Sequence, residues 1–214
     1  MSIRHLLILM LITLTGLTSS AQTYIGFFSG LNKSKLGGDA PKNASYKGIL
    51  GINTGAFIDI KIHRMMWLSL QPSYSQEGTK ISYSLRGIKE PIDSMHVRMD
   101  YFSIPLLLKV SSTNERFYAI AGIEAAYLLN AYFKSHNLSF DEDQEISQWN
   151  ISMHFGAGLH IPLGFPRLFI ELRYAQGLIN LTDEELDKGY IPRVKTNGFK
   201  ALIGIEIPLK RNKN

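Results

Sequence analysis

The sequence predicts an all-β protein, an eight-stranded antiparallel up-and-down barrel whose strands cross a membrane. Three observations carry the prediction. Eight segments alternate with a period of two, the connections between them are long and short in turn, and the charges inside the segments share a face with Gly, Ser and Asn.

Ahead of the first segment the chain opens with Arg4 and His5, an apolar run from Leu6 to Leu17, and the small residues Ser19, Ser20 and Ala21. These are the cationic, apolar and cleavage regions of a secretory signal peptide. The apolar run is too short for a spanning helix, which needs ~20 residues. Two units follow: a signal peptide over 1–21, cut between Ala21 and Gln22, and a barrel over 22–214.

The clearest strand runs from Trp149 to Ile161. Trp149, Ile151, Met153, Phe155, Ala157, Leu159 and Ile161 form one face, and Asn150, Ser152, His154, Gly156, Gly158 and His160 the other. A helix would mix these sets around its circumference, whereas a strand separates them. Three more segments read as plainly. Leu50 to Ile60 alternates with Gly51, Asn53, Gly55, Phe57 and Asp59. Phe102 to Val110 alternates with Tyr101, Ser103, Pro105, Leu107 and Lys109, and Phe199 to Leu209 with Lys200, Leu202, Gly204, Glu206 and Pro208. Weaker alternation covers Tyr24 to Leu31, Met66 to Gln76, Phe117 to Ala131 and Leu168 to Ile179.

The connections Asn32–Lys47, Glu77–Arg98, Lys134–Ser147 and Thr182–Thr196 are long. Those near His63, Thr113–Asn114 and Leu163–Phe165 are tight. Tight turns in the periplasm and long loops outside describe an outer-membrane barrel. The wet face decides between this and a soluble eight-stranded barrel, which would hide its apolar residues and expose its charges. Here Asp59, Lys61, Lys109, Glu124, Glu171, Arg173, Lys200 and Glu206 fall on the small polar face. The opposite face is Ile, Leu, Phe and Ala, which suits lipid rather than water.

Composition narrows the function. The chain has no Cys and a formal charge of +5, which excludes both a disulfide scaffold and a lipidated Cys anchor. Lys and Arg form no long stripe, so nucleic acid is not an expected partner. No later apolar run approaches ~20 residues, so a membrane crossing must use a closed barrel.

Ser69-Leu70-Gln71-Pro72 with Tyr74-Ser75-Gln76-Glu77-Gly78, and Tyr101 through Lys109, form a recognisable series. Gly26–Asn32, Ala121-Gly122, Gly156-Ala157-Gly158 and Glu171-Leu172-Arg173-Tyr174 extend it. In this order the segments resemble the PorT-like outer membrane β-barrel family, also called porin family or outer membrane protein beta-barrel domain. The resemblance implies an outer-membrane location in a Gram-negative bacterium. Its founding member is tied to a system that secretes proteins across that membrane. One departure is the ending Leu209-Lys210-Arg211-Asn212-Lys213-Asn214, where such barrels often carry a terminal aromatic residue.

Individual motifs point away from enzyme chemistry. His154 and His160 share a face but stand ~20 Å apart along a strand, too far for one ion. Asp141, Glu142, Asp143 and Glu145 lack the spacing of a calcium loop, and Gly156-Ala157-Gly158 precedes no helix and cradles no phosphate. The remaining candidates are lumen charges: Asp59, Lys109, Glu124, His154, Glu171, Arg173, Lys200 and Glu206. An eight-stranded interior is just wide enough to be filled by side chains, so these should pair and plug it. Neither catalytic residues nor a metal or cofactor are expected. The anticipated partners are outer-membrane lipid and lipopolysaccharide, the barrel-assembly machinery during insertion, and envelope or secretion proteins met by the loops. The expected role is therefore envelope, surface interaction or secretion accessory, with a narrow solute channel and a lipid-modifying enzyme as alternatives.

Overall fold

The computed structural model describes residues 22–38, 44–83, 93–135, 147–162, 164, 166–181 and 194–209. The expected leader with Ala21, and the acidic segment 141–145, lie outside them.

Among the described residues nine strands form one antiparallel sheet: β1 (Thr23–Gly38), β2 (Ala44–His63), β3 (Met66–Leu70), β4 (Ser73–Tyr83), β5 (Asp93–Ser111), β6 (Phe117–Ser135), β7 (Trp149–Ile161), β8 (Arg167–Gly177) and β9 (Val194–Pro208). Strands adjacent in the sequence pair with one another, β3 and β4 excepted, and β1 also pairs with β9 from Tyr24↔Pro208 to Gly38↔Val194, which closes the ring.

The strand count differs from the expected eight for a local reason. β3 and β4 pair with the same two neighbours in one register: Ile58↔Leu70 continues as Gly55↔Ser73, and Leu70↔Leu106 as Ser73↔Ser103. Between them Gln71 still donates to the Pro105 carbonyl and Pro72 still accepts from Ala56. Pro72 has no N–H to give, so the ladder loses a rung while the stave runs on. The ring therefore has eight staves.

Several strands are longer than the alternation suggested. β2 has 20 residues and β5 and β6 have 19 each, against the ~9–11 that cross a bilayer. Parts of the segments read as loops belong to them: β4 continues through Glu77 to Tyr83, and β5 already begins at Asp93. Beyond the lipid the outer face need not be apolar, so the pattern fades while the backbone ladder persists. On β6 the pairing jumps from Asp100↔Asn130 to Tyr101↔Leu128, leaving Leu129 as an extra residue. This bulge exchanges the faces, and Ala131 and Phe133 now pack inward.

Neighbouring residues show which side is lipid: Phe199 is 68% exposed and Lys200 only 2%. On β5 the outward apolar run from Phe102 to Val110 covers about 26 Å of strand. At the usual tilt that is about 20 Å of height, close to the ~25 Å band of such barrels. Tyr74, Phe102, Tyr127 and Trp149 are directly paired across four staves at the end bearing the long connections, with Tyr127 and Trp149 5.2 Å apart. Tyr174 and Phe199, 5.1 Å apart, continue the belt on β8 and β9. Aromatic rings of this kind mark a membrane–water boundary.

Candidate functional site in the barrel interior

Inward-facing residues of all eight staves meet in the lumen. From the turn end upward they form layers.

At the turn end, the connection between β5 and β6 folds over the opening. Asn114 Oδ1 accepts from Ser112 Oγ and from the Arg116 amide at 2.7 and 3.1 Å, and Glu115 takes φ 52°, the left-handed region that most side chains avoid. That conformation directs the Glu115 carboxylate at Lys61 and Arg167, 3.1 and 3.3 Å away. Burial works against its charge, yet Lys61 and Arg167 outweigh burial and hold the carboxyl below its ordinary range. Arg167 also reaches Glu206 at 2.5 Å and stacks on Tyr24 at 4.3 Å. His160 Nδ1 donates to the Glu115 carbonyl at 2.7 Å.

The next layer holds Lys109, whose ammonium is 2.7 Å from Asp59. It faces the rings of Phe57, Tyr118 and Phe169 at 4.9, 5.5 and 5.8 Å. These rings have room because glycines lie beneath them: a Cβ at Gly158 would collide with Tyr118, and one at Gly26 with Phe57. Above them, Tyr118 donates to Glu171 at 2.8 Å, Arg173 pairs with Glu171, and Arg173 crosses the lumen to Gln71 Oε1 at 2.6 Å.

The upper layer centres on Lys200, which meets Glu124 at 3.2 Å and Glu77 at 3.6 Å. His154 Nε2 lies 3.5 Å from Glu124 and 3.0 Å from Ser152 Oγ. Ser, His and a carboxylate invite comparison with a hydrolytic triad, but a triad uses both ring nitrogens. Here both contacts share Nε2, while Nδ1 has no hydrogen-bond partner among the described residues, and the group is buried.

The interior is not wholly polar, as charge counting along the strands had implied. Phe28, Phe57, Phe169 and Leu202 form one apolar cluster, and Leu107, Tyr118 and Ile120 a second. Val97, Met99, Tyr101, Ala126 and Leu181 form a third nearer the loops. A lumen this narrow needs volume as well as charge, and rings over glycines supply it. Voids of about 10 Å³ remain beside Glu206 and beside Glu77, each room for about one water.

All eight lumen candidates are buried, and they fall into separate groups: Asp59 with Lys109, Glu171 with Arg173, Lys200 with Glu124 and His154, and Glu206 with Arg167. Strand reading missed Glu77, Gln71, Tyr118, Arg167 and Glu115. The first two had a signal, since Ser69, Gln71, Ser73, Ser75, Glu77 and Thr79 continue one polar face at period two. The Glu115 cluster had none, because a turn assembles it.

The profile of the outer membrane protein beta-barrel domain family matches residues 20–183, more than half of the chain. The chain belongs to that family. This family member matches no curated protein. Among solved structures it is similar to Ail, the attachment invasion locus protein of Yersinia pestis, at 18% identity and TM-score 0.44, over 87% of this chain and 99% of that one. Neisserial surface protein A gives 12% and 0.44 over 87% and 99%. OprG of Pseudomonas aeruginosa gives 11% and 0.35 over 88% and 96%.

Proposed function

We propose that this outer-membrane barrel is a closed anchor that holds its four long connections at the cell surface, for surface interaction or as an accessory to secretion. In this reading the mature protein starts at Gln22 after cleavage behind Ala21, and the barrel has no enzymatic role. Its partners are outer-membrane lipid and lipopolysaccharide, the assembly machinery during insertion, and envelope or secretion proteins reached through the loops. The secretion role draws on the PorT-like series of motifs, from Ser69-Leu70-Gln71-Pro72 to Glu171-Leu172-Arg173-Tyr174.

The observation that carries the closed lumen is the stack of cross-lumen pairs, Asp59–Lys109, Glu171–Arg173–Gln71 and Glu77–Lys200–Glu124. An ion passing them would have to displace paired, desolvated charges, which is costly in a low-dielectric interior. Recording from purified protein in planar bilayers is the test. The expected trace has no stable opening. Persistent nanosiemens-scale steps would overturn the anchor reading in favour of a solute channel.

A further inference from the structure

The outer wall carries a feature that an inert anchor does not need. Ala201 sits between Leu31 of β1 and Leu172 of β8 in one cross-strand row. A small side chain between two large ones leaves a groove of about 450 Å³, bounded also by Leu50 and Phe199, within the ~300–1,000 Å³ typical of ligand cavities. One step towards the loops, Lys33 and Tyr174 flank Phe199 across the strands and reach into the same groove. Thus an apolar trough ends on a cation at the level of the aromatic belt.

The charge around that end is one-sided. Lys35 follows Lys33 on the outward face of β1, about 7 Å further along, and both are exposed. Lys195 is half-buried on β9. Asp59, Glu171 and Glu206 on the adjoining staves point into the lumen, so no described carboxylate on β1, β2, β8 or β9 faces outward. Lys33 and Lys35 repel each other, with no carboxylate of the described residues on these staves facing outward to offset it. An apolar trough calls for an alkyl chain and the lysines call for an anion, and the boundary of the outer leaflet supplies both in one molecule.

We propose that this groove seats a phosphorylated, acylated glycolipid of the outer leaflet, one acyl chain lying along Ala201 and a phosphate held by Lys33 and Lys35. The assignment rests on the anchor reading, in which the loop end faces outward. It adds a specific lipid seat to it.

Native mass spectrometry of the folded mature protein in detergent tests the seat, with diphosphoryl lipid A, its dephosphorylated form and phosphatidylglycerol as probes. Diphosphoryl lipid A should stay bound to the unaltered protein and the other two should not. Replacing both lysines (Lys33→Ser with Lys35→Ser) should weaken binding about tenfold or more, since each cation near an anionic lipid surface contributes appreciably. Filling the groove by Ala201→Phe should do the same, while Lys134→Ser on β6 should leave binding unchanged. Equal retention in the lysine and groove variants would overturn the proposal, as would equal binding of phosphatidylglycerol or displacement by inorganic phosphate. Heat-dependent gel migration reports folding separately. If Ala201→Phe does not fold, the lysine pair still decides the matter, and the anchor reading stands or falls separately on the bilayer trace.

Discussion

Lys109 shows how one residue can satisfy a narrow interior. Its ammonium meets one carboxylate, Asp59, at 2.7 Å and three aromatic faces, so charge neutralisation and volume filling fall on the same side chain. Lys109→Met should destabilise the barrel by about 3–5 kcal/mol, because Asp59 is left charged and unpaired. Adding Asp59→Asn should recover most of that loss. Urea unfolding in lipid vesicles measures both, and equal losses in the single and double variants would contradict the pairing. Glu115 works at the turn end with the opposite exposure. Its folded pKa is depressed below the ordinary 4.5 by Lys61 and Arg167 against the pull of burial. Its contribution is therefore complete above that value and is lost as the pH falls through the lowered one. The unfolding midpoint of the unaltered protein should exceed that of Glu115→Gln at about pH 6, and the gap should narrow under more acidic conditions, as the pH falls through the lowered value. A gap unchanged between those conditions would show that the carboxylate's charge is irrelevant to the turn.

At the scale of the strand, the apolar band and the aromatic belt fix depth in the membrane. Leu106 pairs with Leu70 and Ile123 in the middle of the band, so Leu106→Arg should cost about 2–4 kcal/mol on folding into vesicles. Asn130 lies past Tyr127 and is also exposed, and there an Arg should cost less than about 1 kcal/mol. The reverse order would mean that the band has been set at the wrong height. The same contrast explains what the amino-acid order revealed. Where lipid presses on one face, as from Phe102 to Val110, alternation is strict and the strand was legible. Above the belt the outward face meets water, as at His96 and Arg98, while Val97 and Met99 pack inward, so the outward apolar face that marks the strands elsewhere stops and the upper halves of β2, β4 and β5 were not read as strands. The bulge at Leu129 arises from the register between β5 and β6, which no single segment encodes, whereas the missing rung follows from Pro72 itself.

For the molecule as a whole, the ring followed from the even strand number and the connection lengths, and the inward direction of its charges from the face they share with Gly, Ser and Asn. The pairing of those charges did not. Arg173 meets Gln71, which lies far from it in the sequence, because the stagger of the closed sheet sets them at one height. That stagger depends on closure, and closure depends on β1 meeting β9. The first strand made thus waits for the last. Until β9 joins it β1 lacks one of its two partners, and an unfinished sheet would offer bare backbone edges and a greasy outer surface to any identical neighbour. Biogenesis is consequently a race between sealing one seam and clumping, and its outcome hangs on the final strand to be delivered.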